Sequence, residues 1–578
     1  AGVAGGTVGN SSTNAAVFVS VGSSATVYSG TIGGSTSLLR SGVTAANTLT
    51  LLGANTYTGA TIVNGNGLVL ADAGTLSGTS SIDLNYAGLT LDNKTSLTDS
   101  ADRVGNSAAL ALRGGTLTFL GRAQAVSSES LGAVTLAQGL STVTVTPGGT
   151  GINSADLTLA SLVTTANTGA TVNFTTGTGT LGTIGSNGRV LITTNPTLSN
   201  NVIAPWAIVG GADFASYNAT YGVGALGTAG FAGYELTNTI TGASSSKNLL
   251  WNTGTLAISG GTTTLGLVNI SGNQNTTFGV ASDLLVVAGG GLLKSSNNAN
   301  SFSATVDLGQ LTGPSGGTLG SPKELYVTQS NTSTAFTINT RLVDNPSGVV
   351  RFIFTQIGAG SITLADPNNS YTGGTIVNGG KLNLSGTTPS AANITAGQAE
   401  IPAGGLTING GTVVMNTNPG QIDPTNVVTM NGASTLTLVG ANTLAGLVFN
   451  SNGGAAPNIT TTGGVLTLSG NVTASSSNVG APAVVTLGNI DLGSGARTFT
   501  VNPITLDGTA GGTAISPFTP TLNIAAVLQT AVNTGYLVKS GTGVLQLGAA
   551  NTFGLAGAVG VDLQQGGLIL GNNAGLGV

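Results

Sequence analysis

Side chains able to move protons or hold a charged substrate are scarce in this sequence. They gather in one stretch, Asp83, Asp92, Lys94, Asp99, Asp102 and Arg103. Carboxylates on one face, with Lys, Arg or a calcium ion beside them, are what β-helical polysaccharide lyases and hydrolases use. This is the one stretch where such chemistry could sit, and the simpler reading of it is a set of solvated turns and strand-end hydrogen bonds. Elsewhere the 19 acidic and 14 basic residues are scattered over 578 positions. Arg122 and Glu129 are expected to form a surface ion pair, an interaction worth under about 1 kcal/mol. Histidine and cysteine are absent, which removes thiol nucleophiles, the usual zinc ligand sets and the imidazole base. The strings GTGTLG and GNGLVLADAG imitate phosphate-binding loops but no GK[ST] follows, and the Asp register of calcium-binding nonapeptides is missing. The expectation is no catalytic residue, no metal site and no cofactor.

Aromatic side chains are the second candidate. Trp206, Phe214, Tyr217, Tyr221, Phe231 and Tyr234 crowd one region, and Trp251 follows. Packing of a bulky lobe against the main body is one reading. The other is a binding platform for a carbohydrate or a partner protein, carried by Trp206, Phe214, Tyr217, Tyr221 and Trp251, because aromatic faces stack on sugars and dominate interface hot spots. Asn173, Asn269, Asn393 and Asn471 open Asn-x-Ser/Thr triplets, most of which chance explains in a chain so rich in these residues.

The elements that must position these groups are written in the composition. Gly occurs 94 times, with 6% charged and 4% aromatic residues, far from the roughly one-quarter charged of an average globular chain. Disorder shares that bias, but 40% hydrophobic residues, a mean hydropathy of +0.34 and a net charge of −5 argue for an ordered fold. A sequence pI near 4.6 without a Lys/Arg cluster disfavours nucleic acid as a partner. No apolar run approaches the roughly twenty residues of a membrane-spanning helix. The opening AGVAGGTVGN has neither the basic start nor the apolar segment of a signal peptide, which suggests a leader already removed or an excised piece.

Apolar residues alternate with Thr, Ser or Asn over short stretches throughout, the period of half-buried strands. The recurrent unit is a Gly-Gly or Asn-Gly turn followed by apolar-x-apolar, as at Leu68/Leu70, Leu117/Phe119, Leu382/Leu384, Leu406/Ile408, Leu466/Leu468 and Leu568/Leu570. Longer self-similarity, the mark of repeat architectures, is also present. Segment 48–70 aligns with 362–384, pairing Tyr57 with Tyr371, Gly59 with Gly373, Val63 with Val377, Asn64 with Asn378 and Leu68 with Leu382. Segment 435–450 repeats the first part with Leu444 in place of tyrosine, and 544–570 holds a fourth, interrupted copy. Asn55, Asn64, Asn369 and Asn378 fall at matching turn positions, where amide side chains can form ladders between coils.

On these residues, NTYTGATIVNGNGLVL and SYTGGTIVNGGKLNLSG resemble the autotransporter-associated β-strand repeat of large secreted or surface proteins of Gram-negative bacteria. Segments 102–121, 130–147 and 204–218 are similar to those that accompany the repeat. The resemblance implies a β-helix and export to the outer cell surface or beyond.

Together these readings predict an all-β protein, a right-handed parallel β-solenoid with irregular insertions and coils of about 20–25 residues stacked at roughly 4.8 Å. Solenoid is expected over 1–203 and 252–578, with an aromatic-rich insertion or lobe at 204–251. The expected role is an extracellular structural or adhesive solenoid without catalysis, forming a surface rod, coat, fibre or biofilm matrix. Its expected partners are further copies of itself and a cell-surface or polysaccharide ligand. The alternative is a polysaccharide-binding or polysaccharide-cleaving β-helix. Neither end of the sequence carries a helical or charged cap for its open strand edges, so further coils, from the same chain or a neighbouring copy, are expected there.

Overall fold

The computed structural model describes residues 5–44, 46–149, 153–272, 275–295, 300–302, 309–330, 332–386, 399–531, 534–554 and 560–577. The chain divides into two compact units, Ala1–Glu235 and Leu236–Val578. Among the described residues there is no helix and 52% lies in strands, the parallel sheets of each unit stacking as a β-solenoid, with about 22 turns counted over the two.

Each unit is built from two long sheets, so that one coil of chain contributes one strand to each. In the first unit they hold 8 and 10 strands, in the second 17 and 15. Parallel neighbours usually need a helical crossover; here the chain simply winds round and meets itself one turn later, and the N–H and C=O groups of each coil pair with those of the next.

Side-chain alternation determines which face is inside. In the first unit Leu49, Leu68, Leu89, Leu117 and Val143 follow one another in register across successive coils, each at most 4% exposed. Their neighbours Thr50, Val69, Thr90, Thr118 and Thr144 form the outward row beside them. The second unit repeats the device with Ile362, Leu382, Val413, Leu436 and Ile459, all buried. β-Branched threonine suits an outward pleated surface, and the stacked leucine, isoleucine and valine rows are the core.

Asparagine ties coil to coil in two ways. At strand ends, Asn409 Nδ2 donates to Asn378 Oδ1 (2.8 Å), Asn431 to Asn409 (2.7 Å) and Asn450 to Asn431 (2.7 Å). Asn85 and Asn64 do the same in the first unit at 2.8 Å. Asn55, Asn369 and Asn551 instead bridge three coils. Their Oδ1 atoms accept the N–H of Ile32, Leu342 and Leu528 from the coil before, at 2.8–2.9 Å. Their Nδ2 groups donate to the carbonyls of Thr75, Glu400 and Gly575 from the coil after or its approach.

Ladder partners lie 21 residues apart in sequence in the first unit and 31, 22 and 19 apart in the second. The expected coil of about 20–25 residues therefore holds only for coils without excursions. The longest of these intervals, Asn378 to Asn409, contains 387–398, which lies outside the described residues.

Tyr57 and Tyr371 are fully inside, and each needs a partner for its hydroxyl. Threonine four residues on supplies it, Thr61 at 2.5 Å and Thr375 at 2.6 Å. In the copies where Leu444 and Phe553 replace tyrosine there is no hydroxyl to satisfy, and both side chains are buried as plain apolar groups. Replacing Thr375 by valine should cost about 1–3 kcal/mol, because it leaves the Tyr371 hydroxyl buried and unpaired. Tyr371→Phe should cost about 1 kcal/mol, and the double variant no more than Tyr371→Phe alone. Denaturant unfolding of the four proteins checks this; additive losses would contradict it.

Candidate functional site

The ionic stretch folds into a loop between the strands Gly88–Asp92 and Ala109–Arg113. Arg103 is wholly buried at its base. Its guanidinium donates to Asn93 Oδ1 (2.7 Å), to the carbonyls of Asp72 (3.2 Å) and Gly74 (3.0 Å), and to Ser96 Oγ (3.2 Å). Asp92 accepts the Thr95 N–H at 3.0 Å, Asp72 that of Leu97 at 2.8 Å, and Asp99 accepts from Asn93 at 2.7 Å and Ser127 Oγ at 2.9 Å. Lys94 and Asp102 are exposed. Asp83 lies apart, ion-paired with Arg113 at 2.5 Å. The cluster thus holds a loop in shape, and the carboxylates of Asp72, Asp92 and Asp99 are occupied by backbone N–H groups, an asparagine amide and a hydroxyl.

The expected Arg122–Glu129 surface pair is not formed. Glu129 sits on the inward parity of strand Val126–Gln138, in step with the buried Ser127 and Leu131, and is 1% exposed. Its carboxylate accepts the N–H of Arg103 (2.9 Å) and of Val104 (3.1 Å). Arg122 donates instead to the Ser96 carbonyl at 2.5 Å. Burial pushes the Glu129 carboxyl up to about 7, outweighing the N–H groups that favour its charged form.

Other charged groups that the sequence reading passed over are also built into the coils. Lys539, fully buried, donates to the carbonyls of Ser540 (2.8 Å), Gly541 (2.7 Å) and Gln565 (3.0 Å), and burial brings it down to about 8. Arg40 is 1% exposed and donates to Ser20 Oγ (3.0 Å) and the Asn47 carbonyl (2.8 Å). Glu400 is likewise buried, its carboxyl raised to about 9 by burial. On the outer faces Arg189–Asp156 and Arg351–Glu324 pair across register neighbours of adjacent strands, at 2.5 and 3.5 Å. Among the described residues no group of three or more acidic side chains is placed to hold a metal ion.

The aromatic candidates separate. Strand Ala207–Val209 pairs antiparallel with Asp213–Asn218, and that with Gly222–Ala225, a local departure from the parallel stack. Phe214 is core, 1% exposed. Trp206 and Tyr217 are half-buried against the hydrophobic core of the first unit, and the Tyr217 hydroxyl accepts the Ile192 N–H at 3.0 Å and donates to its carbonyl at 2.9 Å. Tyr221 and Phe231 face each other with ring centroids 6.2 Å apart. Two glycines seat them: a Cβ on Gly224 would meet the Phe231 ring at 2.2 Å, and one on Gly230 the Tyr221 ring at 2.6 Å. Trp251 lies in the other unit, 7% exposed in its core, with Nε1 donating to the Gly254 carbonyl at 2.8 Å. Like Trp206 and Tyr217, Tyr221 and Phe231 are partly exposed; Phe231 belongs to the aromatic region of the sequence but not to the platform expected from it. Of the Asn-x-Ser/Thr positions, Asn173 and Asn269 are buried, Asn471 is exposed, and Asn393 lies outside the described residues.

Comparison with known proteins agrees with the architecture. The passenger-associated-transport-repeat model matches residues 46–67, 354–384, 428–453 and 537–558, overlapping each of the four copies aligned above. The chain is homologous to an adhesin, the BmaC autotransporter of Brucella suis biovar 1 (strain 1330), with 27% identity over 512 residues. That match covers 82% of this chain and 14% of the adhesin's length. No solved structure matches.

Glu129 makes a pH prediction for the first unit. Its folded value near 7 stands above the ordinary 4.5, so between those values the folded state binds more protons than the unfolded one, and stability falls as pH rises. The loss should reach on the order of 3 kcal/mol by pH 7 and then level off. Glu129→Gln should remove that slope, so that the variant gains on the parent protein between pH 4.5 and 7; parallel stability curves would contradict the assignment.

Proposed function

We propose that this chain is a surface-displayed or shed adhesive β-solenoid of the outer cell surface, which acts by contact and without catalysis. The homology to an adhesin autotransporter carries this reading. The site geometry supports it: Asp92, Asp99 and Glu129 are engaged by the protein's own N–H groups and hydroxyls, and Asp83 by Arg113. A general acid or base must instead reach the substrate's proton directly.

The ligand face in this proposal is the antiparallel segment that follows Trp206, with Tyr221 and Phe231 as the accessible aromatic pair. Paired rings held against glycine backbone lose little freedom on binding, and they suit the apolar face of a sugar or a protein surface. A polysaccharide ligand is the second reading, favoured by that same pair. Self-association of neighbouring copies, into a fibre or lateral assembly, belongs to the proposal as well.

Beads coated with the purified chain should adhere to cultured host cells above albumin-coated controls. Tyr221→Ala combined with Phe231→Ala should lower that adhesion roughly tenfold or more, as loss of a central aromatic contact does, with the first unit, which holds both residues, still folded. Adhesion equal to the controls would sink the adhesive reading. Release of reducing ends or unsaturated products from pectins, alginates or glucans would replace it with an enzyme.

A further inference from the structure

The asparagine ladder carries a chemical liability in its own sequence. Asn64, Asn378, Asn409 and Asn431 are each followed by glycine, at Gly65, Gly379, Gly410 and Gly432. The corner requires that glycine: its φ lies between +59° and +79° at the four positions, a conformation that side chains disfavour. Asn–Gly is also the dipeptide most open to succinimide formation, because no side chain shields the glycine nitrogen. That nitrogen bonds to the asparagine Cγ, its proton leaves with Nδ2 as ammonia, and water then opens the ring at either carbonyl to give aspartate or isoaspartate. One amide is exchanged for one carboxylate, with no oxidant and no enzyme.

Within the ladder both reacting groups are engaged elsewhere. The Gly65 N–H donates to the Asn85 carbonyl at 3.0 Å, Gly379 to Asn409 at 3.1 Å, Gly410 to Asn431 at 2.9 Å and Gly432 to Asn450 at 2.9 Å. The side-chain amides are tied as well, Asn409 and Asn431 donating to the asparagine of the coil before, and Asn64 and Asn378 accepting from that of the coil after. All four asparagines are at most 6% exposed. Attack needs the glycine nitrogen and the asparagine Cγ turned toward each other, and here the stacked coils hold both.

Three further asparagines precede glycine. Asn66 Oδ1 accepts the Thr44 N–H and its Nδ2 donates to the Gly22 and Ser41 carbonyls; Asn187 Oδ1 accepts the Thr180 N–H and its Nδ2 donates to the Ile184 carbonyl. Asn452, two residues beyond the last member of the column, is different. It is half-exposed, its Oδ1 has no hydrogen-bond partner, and among the described residues no carbonyl accepts the Gly453 N–H. We propose that Asn452 is a site of spontaneous deamidation in the folded protein, and that the ladder asparagines are withheld from the same reaction by the coils stacked on them. The stacking thus decides which Asn–Gly pairs age and which persist.

Prolonged incubation of the full chain at neutral pH, followed by peptide mapping with mass spectrometry, tests it. Each conversion is read from the mass gain of amide to acid, and isoaspartate-specific methylation counts the rearranged product. In the folded protein Asn452 should convert, while Asn64, Asn378, Asn409 and Asn431 should do so on the order of a hundredfold more slowly, because a buried coil opens rarely. In guanidinium that unfolds the chain, the five should convert at similar rates, which places the difference in the fold. Ladder asparagines that convert in the folded protein as fast as Asn452, an Asn452 that stays intact there, or ladder positions that still lag in the unfolded chain would each overturn the proposal.

Discussion

Every coil of this protein depends on the next to satisfy its backbone. A strand in a parallel solenoid has no helix to bond within itself and no hairpin partner, so each N–H and C=O that leaves water must meet one in the adjacent turn. Where the chain bends between strands, backbone bonds such as that from the Gly379 N–H to the Asn409 carbonyl (3.1 Å) continue, and side chains add further ties between coils. Asn55, Asn369 and Asn551 do so by accepting from one coil and donating to another, and the Asn378–Asn409–Asn431–Asn450 column by bonding amide to amide. Buried polar groups without partners cost far more than paired ones return, which explains why so many polar side chains inside this protein are short, neutral and capable of both donating and accepting.

The same constraint limits what the charged groups can do. Arg103 holds the base of a loop through two carbonyls, an asparagine and a serine, and Lys539 gathers three carbonyls. A charge used in this way keeps its coil closed and is withdrawn from solvent. What remains outside is rich in threonine, serine, asparagine and glycine, together with cross-strand ion pairs, the Tyr221–Phe231 pair and exposed apolar side chains such as Leu97, Leu319 and Phe518. A surface of that kind recognises by shape and apolar contact, in keeping with the proposed adhesive role.

Much of this could be read in the sequence because the period is short and strict. Alternation around Leu68/Leu70 and Leu382/Leu384 gives strands and their inward face at once, and the matched Asn64 and Asn378 both bond to the asparagine of the following coil. The charged residues were harder to place. The charge of Glu129 suggests a surface partner for Arg122, yet its parity with Leu131 on one strand places it inside. Arg103 gave no such local signal, since its partners Asp72 and Gly74 come from about one coil earlier, and only stacking brings them near. The same holds for Trp251, which follows the other aromatics in sequence but faces the core of the second unit. Coil length was legible only where no excursion interrupts the turn, because an excursion changes the residue count without changing the register of the strands it separates.

The joining of coil to coil requires an asparagine column that is continuous in solution, buried at Asn378, Asn409 and Asn431 and part-buried at Asn450. Side-chain amide hydrogen exchange, followed by nuclear magnetic resonance on protein labelled at asparagine, measures that. Asn409, Asn431 and Asn450 each donate to the neighbouring coil, so their Nδ2 protons should exchange orders of magnitude more slowly than those of the exposed Asn471. Exchange at the rate of Asn471 throughout the column would mean that the coils are not joined this way.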